Sequence, residues 1–325
     1  MSTLQALKKL FSDHLTQQNY GDQPSNLYEP INYIMSLGGK RIRPLMVLAS
    51  LDLFNQKPVQ GLQAAMAVEI FHNFSLVHDD IMDAADIRRG KATVHKKWDE
   101  NTAILSGDVM LIQAYEYLLS YDQKVAIDLL NEFTAMAKGV CEGQRMDMDF
   151  ETSDQVTIAD YIEMITLKTS ILLASSLKLG AIIAGQDENV QNHIYEFGKN
   201  LGIAFQLQDD LLDTFGTEAL IGKKVGGDIL QNKKTYLYLK TLELVDAQTK
   251  ERLIHLYKED IQTEEDKKIS EVHAIFSDAH VKVYSQELQD NYSQLALSHL
   301  SAIPVDEKHK AALMEVHELL GKRIS

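Results

Sequence analysis

Apolar residues along this chain recur three and four positions apart far more often than they alternate. Leu4, Leu7, Phe11 and Leu15 open the pattern. Met110, Ile112, Tyr115, Leu118 and Leu119 repeat it, and Leu201, Phe205, Leu207, Leu211 and Leu212 carry it on. Such spacing lines up one face of an α-helix. Proline placement agrees. The five prolines sit at 24, 30, 44, 58 and 304, so 245 consecutive residues contain none. A helix interior is where proline costs most, through a lost hydrogen bond and a ring clash. The pattern predicts an all-α protein, a single-domain bundle over residues 1–325 with ten or more helices around one core. Breaks are expected near residues 21–30, 55–58, 88–91, 120–124, 151–157, 185–189, 216–227 and 260–267, none with the composition of a flexible linker.

Composition narrows the function. Apolar residues make up 45% and charged residues 24%, which excludes whole-chain disorder. The net charge of −15 argues against a nucleic-acid partner, because neutralising phosphates needs a surplus of Lys and Arg. A local basic pocket for a small polyanion stays open. The single thiol, Cys141, excludes a disulfide scaffold and suits a reducing compartment. The most apolar stretch, residues 171–185, is short and carries Lys178, so no transmembrane segment is expected. The N-terminus lacks a signal-peptide core, and a cytoplasmic location is expected.

One short pattern occurs twice. SLVHDDIMD at 75–83 and FQLQDDLLD at 205–213 both read as apolar residues followed by Asp-Asp-x-x-Asp, 130 residues apart. Positions i and i+4 share a helix face, so Asp79 and Asp83 project together with Asp80 beside them. Asp209, Asp213 and Asp210 repeat the arrangement. Close carboxylates repel unless a cation compensates, and an all-oxygen set suits a hard ion, Mg²⁺ before Zn²⁺. A solvated acidic helix face is the plain alternative. Against it, each cluster lies in an apolar helical run, and basic residues follow: Arg88-Arg89 after the first, Lys223-Lys224 and Lys233-Lys234 after the second. Carboxylates, cations and basic groups together describe a site for a phosphorylated ligand. Upstream, Gly38-Gly39-Lys40-Arg41-Ile42-Arg43-Pro44 adds a further basic element, with Lys40 and Arg43 three apart and able to share a face.

With these residues the sequence resembles the trans-isoprenyl diphosphate synthases, the head-to-tail prenyltransferases related to farnesyl and geranylgeranyl diphosphate synthases. GGKRIRP (38–44), HNFSLVHDDIMDAADIRRG (72–90), GQRMD (143–147), KTS (168–170), FQLQDDLLD (205–213) and GKKVGGDILQNKKT (222–235) match in order. The resemblance implies the isoprenoid synthase fold with a deep central cavity, commonly a homodimer. It implies two or three Mg²⁺ ions held by Asp79, Asp80, Asp83, Asp209, Asp210 and Asp213 against an allylic diphosphate. Arg88, Lys168, Thr169, Gln206, Lys223 and Lys233 fall where the family contacts that substrate, with Lys223 and Lys224 left as alternatives. Gly39, Lys40, Arg43, His72 and Arg89 fall where it binds isopentenyl diphosphate. The tail Lys322-Arg323 resembles the family's site-closing C-terminus.

Product length is read on the helix of Asp79. Phe74 lies five residues before it, about 7.5 Å along the axis, and Phe71 eight before, about 12 Å, with small Ser75 between them and the cluster. Two phenylalanines form a floor for a medium chain. One aromatic at the fifth position resembles archaeal-type C20 synthases, with C15 close behind. A class I terpene cyclase and a non-catalytic partner subunit are the rival readings. The intact second aspartate motif and the second anion site, Lys40, Arg43 and His72, speak against both.

Overall fold

The computed structural model describes residues 3–217, 225–258 and 265–321. These residues are helical almost throughout. In order they form α1 (Thr3–Leu15), α2 (Ser25–Ser36), α3 (Ile42–Leu53), α4 (Leu62–Met82), a two-residue hairpin β1 (Ile87–Arg88) and β2 (Lys91–Ala92), the short α5 (Val94–Lys97), α6 (Glu100–Leu118) and α7 (Gln123–Thr152). Then follow α8 (Ile158–Ile165), a π-helical turn (Thr166–Ser170), α9 (Ile171–Ile183), α10 (Glu188–Phe215), the short α11 (Gly227–Leu230), α12 (Tyr236–Leu244), α13 (Ala247–Leu256), α14 (Glu265–Asp278), α15 (Val281–Ala302) and α16 (Glu307–Gly321).

Local chemistry accounts for the boundaries. In α1 the expected stripe is inward, with Leu4, Leu7 and Phe11 buried. Asp99 caps α6 by accepting from the Thr102 amide, 2.9 Å. Thr157 and Asp160 form a reciprocal capping box on α8. One boundary differs from expectation. The break near residues 21–30 ends earlier, and α2 runs through Pro30. The carbonyl that Pro30 deprives of a donor belongs to exposed Asn26, so water can serve it.

The chain divides into two compact units. One comprises Met1–Thr134, Ser175–Asn192 and Val305–Met314. Its centre is α4, which packs along α6 and against α3. Residues all round α4 are buried, Ala64 to Phe71 without interruption, so it behaves as a core helix and not an amphipathic one. The other comprises Ala135–Ala174, His193–Pro304 and Glu315–Ser325. Its core gathers Tyr161, Ile165, Leu207, Leu211, Leu237, Leu253, Val272 and Phe276. By length and composition one helical run, Ile158–Ile183, reaches the requirement for crossing a membrane, but 72% of its apolar window is buried in protein. That burial is the behaviour of a core helix.

Candidate active site

In the first unit the basic loop before α3 is organised by Arg41. This residue takes a left-handed backbone conformation as the N-cap of α3, φ 52°. Its guanidinium donates to the Met35 and Leu37 carbonyls at 2.9 and 2.6 Å and pairs with Glu69 of α4. Glu69 is 1% exposed and also accepts from Asn73 Nδ2 at 2.7 Å. The turn at Arg41 puts Lys40 outside the helix, so Lys40 and Arg43 do not share a helix face as the spacing suggested. Lys40 is exposed. Arg43 lies 3.2 Å from His72 Nε2. Burial lowers the His72 pKa well below its ordinary value, and the arginines 43, 89, 41 and 88 lower it further. A neutral ring accepts the Arg43 proton, so His72 orients that guanidinium.

The hairpin supplies the other two arginines. Its turn residues, Arg89 and Gly90, both have positive φ, 52° and 74°, the signature of a type I′ turn. A non-glycine residue at such a position is strained, and strain of this kind concentrates at functional sites. Arg89 reaches back to the Leu37 carbonyl at 3.3 Å, and its guanidinium lies beside Gly39. Arg88 grips Asp80 Oδ1 through Nε and Nη2, at 2.9 and 2.5 Å. Asp80 is 1% exposed, and its Oδ2 is buried without a hydrogen-bond partner among the described residues. Burial raises its pKa, and Arg88 partly offsets the rise. Asp79 is half-buried and Asp83, the C-cap of α4, is exposed. Phe74 packs on Phe71, ring centroids 5.5 Å apart, and on His78 at 4.8 Å. Ser75 donates to the His72 carbonyl at 2.9 Å.

The second unit builds a pocket around the second motif, lined by Asp147, Tyr161, Lys168, Thr169, Gln206, Asp210, Asp228 and Lys233 among others. Lys168 and Thr169 sit on the π-helical turn, a feature that concentrates at functional sites. Gly143 of α7 allows the approach: a Cβ there would meet the Lys168 backbone. One turn further along α7, Asp147 pairs with Lys168 at 2.5 Å. Thr169 donates to Gln206 Oε1 at 3.3 Å. Gln206 Nε2 in turn donates to Asp210 Oδ1 at 2.9 Å, while the Tyr161 hydroxyl donates to Oδ2 at 2.5 Å. Burial, then Asp228 and Asp209, push the Asp210 pKa up against these two hydrogen bonds. Asp209 is half-buried. Asp213 is buried; its Oδ2 accepts the Asp228 amide at 2.8 Å and its carbonyl the Gly226 amide at 2.7 Å, folding that turn back onto α10. Lys233 lies 3.9 Å from Asp228 Oδ1. Lys234 instead donates to the Phe150 and Ser153 carbonyls at the C-terminus of α7. Lys223, Lys224, Lys322 and Arg323 lie outside the described residues.

Comparison with known proteins now identifies the architecture. The polyprenyl synthetase family profile matches residues 24–275. The chain belongs to this family. It is an all-α prenyltransferase. A geranylgeranyl diphosphate synthase of Saccharolobus solfataricus is 39% identical over 87% of this chain and 85% of its own length. A short chain isoprenyl diphosphate synthase of Methanothermobacter thermautotrophicus is 33% identical over 97% of each. A crystal structure of a geranylgeranyl pyrophosphate synthase superposes with a TM-score of 0.94 at 44% identity, covering 98% of both chains.

Within this prenyltransferase, sequence reading missed five residues that shape the two sites: Arg41, Glu69, Asp147, Tyr161 and Asp228. Asp147 and Asp228 stood inside matched motifs, so a signal was present without a role attached. Arg41 stood beside two other cations. Glu69 and Tyr161 had no signal: Glu69 is a single polar group in an apolar helical run, and Tyr161 belongs to no repeated or matched motif.

Proposed function

We propose that the chain joins isopentenyl diphosphate head to tail with an allylic diphosphate and releases chiefly geranylgeranyl diphosphate. The observation that carries the chain length is the packed Phe74–Phe71 pair below Asp79 on α4. Relatives that bear a geranylgeranyl synthase name support it.

Asp79, Asp80 and Asp83 would hold Mg²⁺ against the allylic diphosphate, and Asp209, Asp210 and Asp213 would do the same, with two or three ions in all. The donors fit. Asp80 keeps a buried oxygen without a hydrogen-bond partner among the described residues, and burial, then the neighbouring carboxylates of Asp228 and Asp209, raise the Asp210 pKa. Among the described residues no three His, Cys, Asp or Glu side chains converge to enclose an ion alone. Mg²⁺ is typically bound through one or two carboxylates and substrate phosphates. When bound, the metal supplies neutralising charge to the departing diphosphate.

The protein's own groups do the rest. Arg88, Lys168, Thr169, Gln206 and Lys233 bind the allylic diphosphate, Lys223 joining them from outside the described residues. Fixed cations placed where negative charge develops lower the barrier to ionisation. Gly39, Lys40, Arg43, His72 and Arg89 bind the isopentenyl diphosphate headgroup, with Arg43 aimed by neutral His72. Holding both substrates removes a large entropic barrier. Phe74 and Phe71 keep water from the allylic cation until the alkene attacks. The departing diphosphate accepts the final proton, so no dedicated histidine is needed. A single cysteine, Cys141, supports a cytoplasmic setting. Leu105 and Ile112 of α6 and its C-cap Leu119, exposed and seven residues apart, support a homodimer built on this face.

The test incubates purified protein and Mg²⁺ with dimethylallyl, geranyl or farnesyl diphosphate, with and without isopentenyl diphosphate. Products are identified by mass. A C20 diphosphate formed only with isopentenyl diphosphate is expected. Predominant C15 product would overturn the assigned length, and a hydrocarbon from the allylic substrate alone would favour a cyclase.

A further inference from the structure

The second unit holds a pair of histidines to which the prenyl-transfer site assigns no task. His193 lies near the start of α10 and His299 near the end of α15. Their Nδ1 atoms face each other at 3.2 Å, ring centroids 5.4 Å apart, and both residues are half-buried. Sixteen residues of α10, about 24 Å of helix, separate His193 from Asp209. The pair is therefore remote from the second aspartate motif.

We infer that His193 and His299 together bind a divalent transition-metal ion such as Zn²⁺, Ni²⁺ or Cu²⁺. At most one proton fits between two imidazole nitrogens this close, so at least one Nδ1 presents a lone pair. Zinc–histidine bonds are about 2.0–2.1 Å long, so two nitrogens 3.2 Å apart subtend about 100° at a shared ion. That angle lies between the octahedral cis and tetrahedral values. On binding, the ring that holds the shared proton on Nδ1 changes tautomer, taking up a proton from water at Nε2 as it releases the one on Nδ1, and each Nδ1 then donates its lone pair to the ion. Imidazole nitrogen favours these borderline ions over Mg²⁺, which prefers oxygen.

Burial lowers the His299 pKa, and Glu196 opposes that. Glu196 stands one turn beyond His193 on α10, ion-paired to Lys199 at 2.6 Å. No third His, Cys, Asp or Glu among the described residues completes the set, so water fills the remaining positions. Such a site is exchangeable. Its structural consequence is a tie between α10, whose C-terminal half carries Asp209–Asp213, and α15.

The experiment uses the full chain in excess Mg²⁺, which occupies hard-ion sites. One equivalent of Cu²⁺ is added at neutral pH and followed by electron paramagnetic resonance. Superhyperfine coupling to two equatorial nitrogens is expected. His193→Gln and His299→Gln should each weaken Cu²⁺ binding by at least about tenfold and lose the two-nitrogen pattern, while His14→Gln leaves both unchanged. Circular dichroism of the metal-free variants checks that they fold. An independent reading on the unaltered chain is its thermal midpoint, which Ni²⁺ should raise above the Mg²⁺ value. Undiminished Cu²⁺ affinity in both variants, or no Ni²⁺-dependent shift in the unaltered chain, would overturn the site. Neither outcome bears on prenyl transfer, so this inference and the proposed function fail separately.

Discussion

Asp80 shows how a short motif is divided by its surroundings. One of its oxygens is held by Arg88; the other is buried without a hydrogen-bond partner among the described residues, while Asp83 three residues on is exposed. The aspartates themselves were legible in the sequence, because a repeated acidic pattern in an apolar helix is improbable on physical grounds. Their unequal environments were not, since those depend on Arg88 arriving from a hairpin. The same holds at Glu69. Burying a lone carboxylate is costly, and Arg41 compensates from 28 positions away. Arg41→Met should therefore destabilise the protein by about 3–5 kcal/mol in denaturant unfolding, because Glu69 is left buried and unpaired. Adding Glu69→Met should recover most of that loss. At Phe74, truncation to alanine should lengthen the product by one or more isoprene units, read by mass; an unchanged profile would reject its role as floor.

Elements add a second layer. The π-helical turn that carries Lys168 and Thr169 interrupts what the apolar pattern presents as one helix from 158 to 183, and no residue in TLKTS announces it. Packing decides it, through the close passage of α7 at Gly143. Gly143→Ala inserts a methyl against backbone atoms that have no rotamer to retreat into. A loss of about 1–3 kcal/mol is expected, with a parallel fall in kcat as Lys168 and Asp147 separate; thermal unfolding and steady-state assays check both. Arg89 was legible as a candidate anion contact, but the backbone of Arg89-Gly90 only as a break. Its type I′ geometry emerges from the pairing of Ile87 with Ala92 and Arg88 with Lys91. Of Lys233 and Lys234, only the family resemblance singled out the first. Both line the pocket, but the turn after α11 leaves Lys233 beside Asp228 and ties Lys234 to the carbonyl end of α7.

At the scale of the whole molecule, the proposed homodimer rests on an exposed seam along α6 and its C-cap, Leu119. Leu105, Ile112 and Leu119 are 58%, 58% and 61% exposed. Large apolar side chains in a row two helical turns apart mark a helix–helix interface. Light scattering should give twice the 36.7 kDa chain mass, and Leu105→Glu with Ile112→Glu should halve it without loss of helicity.

The all-α class, the prenyltransferase family and both aspartate motifs were decided by sequence, because helical periodicity, missing prolines and spaced carboxylates are local properties of the chain. The Arg41–Glu69 pair, the Tyr161 and Gln206 clasp on Asp210, the π turn and the facing histidines were decided by tertiary structure. Each joins groups tens of residues apart or bends a helix against a neighbour, and such partners become neighbours only when apolar faces pack.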